Sequence, residues 1–235
     1  MKTVKRVAVV IPAYNEAAVL GDVLQRAQAV FRASPYEVDL VVVNDGSKDT
    51  TSAVARSYSA IVIDHILNSG AGAATATGLS YANQNGYDIA ATMDADGQHA
   101  PEDVLAGIEK LAHSDVDLLI GSRLIDKKGM SRVKVIGNRG LSLITYFLFG
   151  IGVTDSQSGL RIFSRRALES LRWKTSGYEF CSEMLWRAKQ INLNIDEFPV
   201  KPIYTEYSKV KGQNNWNGIN IVKSLVRRRI VELFE

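Results

Sequence analysis

Ala90-Ala91-Thr92-Met93-Asp94-Ala95-Asp96-Gly97-Gln98-His99-Ala100-Pro101 joins the end of an apolar run to a helix-starting proline. The run from Ile89 to Met93 has the length and composition of a buried strand. It stops at two aspartates one residue apart, Asp94 and Asp96, and on a strand residues two apart point to the same side. Two neighbouring carboxylates raise each other's proton affinity unless a cation or hydrogen-bond donors compensate them. Mg2+ and Mn2+ accept oxygen ligands of this kind, usually one or two carboxylates with substrate phosphates completing the shell. Gln98 and His99 can extend that shell. An isolated Asp-x-Asp is also the mark of a solvated turn, so the surrounding chain has to decide.

Upstream, Val7–Ile11 is a short β-branched run closed by Pro12, and Pro12-Ala13-Tyr14-Asn15-Glu16 reads as a turn with Asn15 as N-cap. A helix follows to about Arg32, with Val19, Leu20, Val23, Leu24 and Ala27 on its apolar face, and Ser34-Pro35 breaks it. Val38–Val43 is the second strand and runs into Asn44-Asp45-Gly46-Ser47-Lys48-Asp49-Thr50-Thr51, a loop of turn and cap residues with a helix from Thr51 to Ser57. Ile61–Ile66 is the third strand; Asn68–Gly72 is a glycine turn before a small-residue helix, Ala73–Gln84. Beyond the Asp pair come a Pro101-initiated helix to about His113 and a strand at Asp117–Ile120. Gly121-Ser122-Arg123 ends that strand, and the basic residues Lys127, Lys128, Arg132 and Lys134 follow. Asn138–Val153 is apolar with small residues, Asp155–Arg161 is a polar turn into a strand at Arg161–Phe163, Glu179 opens a helix to about Gln190, and Ile195–Val200 is a last strand.

Strands and helices alternating at this spacing predict an α/β fold with a mostly parallel, doubly wound sheet and helices on both faces. Ligands of such sheets sit outside the carboxyl ends of the strands. Pro12–Glu16, Asp45–Asp49, Asn68–Gly72 and Asp94–His99 all fall at that edge. Asp45, at the mouth of a buried strand, suits hydrogen bonding to a base or ribose, whereas Asp49 reads equally as a cap of the next helix. Arg123 brings a cation to the same edge, to neutralise phosphate or to pair with an acid such as Asp126.

With 235 residues, 46% hydrophobic and 23% charged, the chain can bury a sizeable core. A formal charge of +3 does not argue for nucleic acid. Cys181 is the single cysteine, which excludes an intramolecular disulfide and a cysteine-based zinc site and fits a cytoplasmic protein. The N-terminus lacks a signal-peptide profile, and no apolar run approaches the roughly 20 residues of a membrane span. The glycine turn fails as a dinucleotide fingerprint, because Thr75 stands at its third glycine position and it follows the third strand; no P-loop motif is present.

Taken together, Pro12–Glu16, the Asn44–Thr51 loop, Asp94–His99, Gly121-Ser122-Arg123 and Asp155 with Ser158-Gly159-Leu160-Arg161 resemble family 2 glycosyltransferases, over about residues 6 to 208. The branch they are most similar to is that of the polyprenyl-phosphate sugar transferases. The resemblance implies a GT-A fold over 1–208, a nucleotide-sugar donor (UDP- or GDP-linked), Mg2+ or Mn2+, and inversion at the anomeric carbon. By the family pattern Pro12, Tyr14, Glu16 and Asp45 hold the nucleoside with Asn68 and Gly70 beside them, and Asp94, Asp96 and Gln98 hold metal and diphosphate. Lys209, in a stretch loosely similar to the family's mobile loop, is the expected donor-phosphate contact. The chain departs from the pattern at Asn44, where many relatives have aspartate, and at Ala71, where many have a basic residue.

The acceptor decides which residues catalyse. A sugar hydroxyl needs a carboxylate base, for which Asp155 and Glu183 are the candidates, beside Asp96 and Arg123 at the departing diphosphate. A lipid phosphate is already an anionic nucleophile, so cations such as Arg123, Arg139 and Arg161 gain importance. Leu141–Phe149 is apolar around most of a helix, and Ile219–Glu235, within a basic C-terminal segment 209–235, is amphipathic. Both suit a peripheral position at the inner face of a membrane, and both also suit a packed core. The expected function is hexose transfer to a polyprenyl phosphate. A glycan-hydroxyl acceptor is the nearest rival, ahead of a nucleotidyltransferase or a non-catalytic nucleotide-sugar-binding protein.

Overall fold

The computed structural model describes residues 5–126 and 132–203. In chain order the elements are β1 (Arg6–Ala13), α1 (Ala17–Arg32), β2 (Glu37–Asn44), α2 (Thr51–Ser57), β3 (Ile61–Asp64), α3 (Ala71–Gln84) and β4 (Ile89–Thr92). Then come α4 (Pro101–Ala112), β5 (Leu118–Ser122), α5 (Arg132–Phe149), β6 (Arg161–Ser164), α6 (Arg165–Ser170), α7 (Phe180–Gln190) and β7 (Ile195–Pro199). The seven strands form one sheet in the order β3-β2-β1-β4-β6-β5-β7. All neighbours are parallel except β6, which runs antiparallel to both β4 and β5.

Alternation along β1 explains the layers. Val7, Val9 and Ile11 point to one face with Leu20, Leu24 and Ala27 of α1 and Val104 and Ile108 of α4. Ala8 and Val10 point to the other, where Ala74 and Ala82 of α3, Leu168 of α6 and Met184 and Leu185 of α7 close over them. A strand buried on both faces cannot alternate with polar residues, which is why these segments read as continuous apolar runs. The small residues of α3 have a packing reason: a Cβ on Gly78 would fall inside the Val10 side chain, so the helix lies against β1 only because that atom is missing.

The aspartates of the opening stretch lie beyond their strand rather than on it. β4 ends at Thr92, and Asp94 and Asp96 occupy the turn that follows. The alternation survives the strand, however, with Met93 and Ala95 buried while Asp94 and Asp96 face outward. Ser164 accepts a hydrogen bond from the Ala167 amide and starts α6, a helix that the apolar pattern does not announce.

Candidate functional site

The loops after β1 and β2 are laced together. The Asn15 amide donates to Ser47 Oγ at 2.9 Å, the Lys48 amide to Asn15 Oδ1 at 2.8 Å, and the Glu16 amide to Thr51 Oγ1 at 2.9 Å. Asn15 therefore does not cap α1. It sits at φ +54°, a conformation Asn tolerates better than most residues, and its oxygen is used across the loops. Asp49 takes over that role, accepting from Ala17 N at 3.2 Å at the head of α1 and from Thr51 N at 3.0 Å at the head of α2. Pro12 lies near the end of β1, Tyr14 is partly exposed at the sheet edge, and Glu16 is buried.

Asn44 has a local reason to be an amide. Its Nδ2 donates to Asp64 Oδ1 at 2.8 Å, while its Oδ1 accepts from the Ser47 amide. The side-chain hydrogen bond from Arg56 and then that from Asn44 lower the Asp64 pKa to about 2. An aspartate at 44 would face Asp64 with like charge.

Asp45 is buried and ties the second loop to the third. Oδ1 accepts from the Ser69 amide at 2.9 Å and Oδ2 from the Gly70 amide at 2.8 Å. His65 Nδ1 lies 2.8 Å from Oδ1. Asn68 is exposed beside them. Gly70 stands at φ +97°, and a Cβ there would collide with the Ser176 carbonyl oxygen, which accepts from the Gly72 amide at 2.7 Å. The glycines of this turn thus serve close approach between α3 and the 173–176 strap.

On the other side of β1 the two aspartates differ. Asp94 is exposed, and Asp96 is partly buried. Burial and then the Asp94 charge push the Asp96 pKa up. Gln98 holds Asp96 from its amide N at 3.0 Å and from Nε2 at 2.5 Å. His99 is buried, and its Nδ1 accepts from the Asp94 amide at 3.1 Å, so this histidine shapes the turn from beneath. Gly159 lies directly under Asp94: a Cβ on it would be 2.6 Å from Asp94 Oδ1. The Ile203 amide donates to the Gln98 carbonyl at 3.0 Å, which brings the last described residue to the same turn.

Residues 8–172 match the family described as Glycosyl transferase family 2. The chain belongs to that family. It is 39% identical to the UDP-N-acetylglucosamine–dolichyl-phosphate N-acetylglucosaminyltransferase of Methanococcus voltae, over 98% of this chain and 99% of the relative. It is 31% identical to the polyprenol monophosphomannose synthase of Mycolicibacterium smegmatis, over 91% of this chain and 84% of the relative. Among solved structures, glucosyl-3-phosphoglycerate synthase from Mycobacterium tuberculosis, in complex with Mn2+, uridine diphosphate and phosphoglyceric acid, superposes with a TM-score of 0.71 at 20% identity. That likeness covers 94% of this chain and 76% of the other and shows the GT-A fold.

In this family 2 glycosyltransferase the two expected bases are both engaged. Arg123 donates to the fully buried Asp155 from Nε at 2.7 Å, from Nη2 at 2.9 Å and from its amide at 3.2 Å. Glu183 is buried and accepts from the amides of Lys174 at 2.9 Å and Thr175 at 2.8 Å and from the Thr175 hydroxyl at 2.6 Å. Its position is that of an anchor for the 173–176 strap. Arg161 is fully buried and binds the carbonyls of Ser156, Ser158 and Cys181, so it organises the 155–160 turn and does not reach an acceptor phosphate.

The glycosyltransferase also exposes apolar side chains on α5. On α5 the buried side carries Ser142 and Thr145, whose hydroxyls meet Ser156 and Ser182, while Ile136, Leu143, Tyr146 and Phe147 face outward with Arg139. Among the described residues no helix is long and apolar enough to cross a membrane. Lys209, the basic residues Lys127 and Lys128, and the 209–235 segment with its amphipathic stretch lie outside the described residues.

Sequence reasoning missed His65 and the 173–176 strap. The apolar pattern carries the third strand to Ile66, but β3 ends at Asp64, which leaves His65 one residue past it at the same sheet edge as Asp45.

Proposed function

We propose that this enzyme transfers a hexose from a nucleotide-sugar to a polyprenyl phosphate at a membrane surface, with inversion and with help from Mg2+ or Mn2+. The observation that carries the choice of acceptor is the engagement of Asp155 and Glu183. Both carboxylates offered as bases for a hydroxyl acceptor are buried and hold donors at hydrogen-bond distance. A phosphate acceptor needs no base, since its oxygen is already anionic. The relatives named for dolichyl- and polyprenyl-phosphate sugar transfer support the same reading.

The donor set fits a hard divalent cation. Asp94 and Asp96 present oxygen ligands; burial first and then the neighbouring Asp94 charge disfavour the ionised Asp96, a cost that a bound cation would offset. Among the described residues no three His, Cys, Asp or Glu side chains converge, so Asp94 and Asp96 would hold the ion together with oxygens from substrate or solvent. When bound, the ion supplies Lewis-acid stabilisation of the departing diphosphate.

The residues divide the remaining work. Pro12, Tyr14, Glu16 and Asp45, with Asn68 and Gly70, hold the nucleoside; Asp94, Asp96 and Gln98 orient the diphosphate end; Arg123, fixed by Asp155, places a guanidinium where negative charge collects. The acceptor phosphate oxygen attacks the anomeric carbon. The bond from that carbon to the donor's β-phosphate oxygen breaks, and nucleoside diphosphate leaves with the electron pair. No proton transfer is required in the step. Lys209 is proposed as a further contact to the donor phosphates. The outward apolar face of α5, with Arg139 on it, lies against the lipid surface that presents the acceptor.

The test is a radiolabelled transfer assay with UDP- and GDP-hexoses, Mn2+ and detergent-dispersed undecaprenyl or dolichyl phosphate. Label passing into the organic phase with one donor is expected. Label passing only to a glycan hydroxyl acceptor overturns the reading.

A further inference from the structure

His65 has no part in the function as described so far, yet it makes two side-chain contacts at the nucleotide half of the site. Its Nδ1 lies 2.8 Å from Asp45 Oδ1 and its Nε2 lies 2.9 Å from Thr77 Oγ1 on α3. Its amide donates to the Asn44 carbonyl at 2.9 Å, which continues the β2–β3 ladder one residue past the strand and fixes the backbone from which the ring projects. The ring is largely enclosed, with its side chain 16% exposed.

The hydrogen-bond polarity follows from the partners. An ionised carboxylate only accepts, so Nδ1 carries the proton that points at Asp45. In the neutral ring Nε2 is then an acceptor, and the Thr77 hydroxyl donates to it. The imidazole is held at both ends in one tautomer and one orientation, and Asp45 is held with it. Oδ1 of Asp45 receives two donors, His65 Nδ1–H and the Ser69 amide, which fills its two lone-pair sites. Among the described residues Oδ2 accepts only from the Gly70 amide, which leaves one site on that oxygen.

We infer that His65 is a positioning residue for the nucleotide-sugar: it locks the Asp45 carboxylate so that the remaining acceptor site of Oδ2 meets an N–H of the base or an O–H of the ribose. The inference rests on the donor-site reading given above. Without the ring, Oδ1 loses one of its two donors and only the Ser69 and Gly70 amides hold the carboxylate, so its orientation is less sharply fixed and part of the binding free energy goes into re-ordering it. The effect belongs to nucleotide binding and leaves the reacting atoms alone.

The test compares His65→Ala, His65→Asn and His65→Gln in the full chain. Readouts are titration calorimetry with UDP and GDP in the presence of Mn2+, steady-state kcat and KM for the donor, and melting temperature. Asn places an amide nitrogen where Nδ1 was, whereas Gln places it nearer the former Nε2. His65→Ala is expected to weaken nucleotide binding and raise donor KM about 10-fold, with kcat changed less than about 3-fold. His65→Asn is expected to recover most of that loss and His65→Gln is not. If the alanine variant fails to fold, the Asn–Gln pair still decides.

Wild-type nucleotide affinity in His65→Ala or in His65→Gln, or equal weakening by Asn and Gln, overturns the inference while leaving the donor site intact. A fall in kcat with KM unchanged overturns it as well. Wild-type protein that binds neither nucleotide overturns the donor-site reading, and this inference with it.

Discussion

Arg123 grips Asp155 with two parallel side-chain hydrogen bonds, Nε to Oδ2 at 2.7 Å and Nη2 to Oδ1 at 2.9 Å. The carboxylate is fully buried, while the guanidinium keeps a route to the site edge. Removing the acid takes two charge-assisted hydrogen bonds from the partly buried guanidinium and one from the Arg123 amide, at a cost of roughly 3–5 kcal/mol. Asp155→Ala should therefore lower the urea midpoint strongly and depress turnover with it, and Asp155→Asn should do both to a smaller extent. A base would behave differently: Asp155→Asn would then abolish turnover with stability and donor affinity unchanged.

Asp96→Asn should uncouple metal from donor. The amide keeps an oxygen for the Gln98 backbone N–H and removes a charge that burial and Asp94 disfavour. The melting temperature of the ligand-free variant should match or exceed that of the wild type. The added stability from UDP- or GDP-sugar with Mn2+, several degrees in the wild type at saturating ligand, should be lost. A full metal-dependent shift in the variant would remove Asp96 from the metal site.

Asn44→Asp tests the amide's role against Asp64 and should cost about 1–3 kcal/mol at neutral pH, read from the urea midpoint. The pH dependence of the wild type follows from the same contact. The folded-state pKa of Asp64 is lowered to about 2, below its unfolded value. Its contribution to stability is therefore fully present above the ordinary carboxylate pKa of about 3.9 and is lost as pH falls through about 2. Arg56→Ala should flatten that acid limb.

Gly70→Ala should cost about 1–3 kcal/mol, because residue 70 sits at φ +97° and a Cβ would strike the Ser176 carbonyl. The strap must yield or the turn must open, so nucleotide affinity should fall together with stability. Tryptophan fluorescence gives a local reading, since Trp173 Nε1 donates to the Gly72 carbonyl in the same contact.

Leu143→Gln with Phe147→Gln should leave stability within about 0.5 kcal/mol, since both side chains face outward on α5. Co-sedimentation with anionic phospholipid vesicles should fall several-fold. Unchanged vesicle binding would show that this face does not touch lipid.

Much of this was legible in the chain. α2 spans Thr51–Ser57 as its cap-rich loop predicts, and β1, β2 and β4 contain the expected apolar runs, because parallel strands buried on both faces leave an unbroken apolar signature. Asp45, Asp94 and Asp96 do gather at one edge, since in such a sheet the strand ends share it.

What stayed hidden was set by tertiary pairing. The insertion of β6 between β4 and β5 leaves no local trace. Nothing in Arg161 itself reveals that it is buried against backbone carbonyls, because burial of a guanidinium depends on which turns surround it. The position of Asn15 at positive φ depended on a partner loop 32 residues away. His65 and Glu183 likewise acquire their partners only when the second loop and α3 close on the His65 ring and the 173–176 strap closes on α7.

The reversed direction of β6 has a consequence for the segment between β5 and β6. Because β6 runs against β5, the chain leaves the sheet at Ser122 and re-enters at Arg161 on the same edge, beside the Asp94 turn. The excursion from Ser122 to Arg161 therefore begins and ends on neighbouring strands. Arg123 at its start and Asp155 near its end are paired, so the excursion is closed on itself like a clasp. The loops after β1, β2 and β3 are laced to one another by a separate set of hydrogen bonds, so the two parts of the strand-end edge are fastened independently.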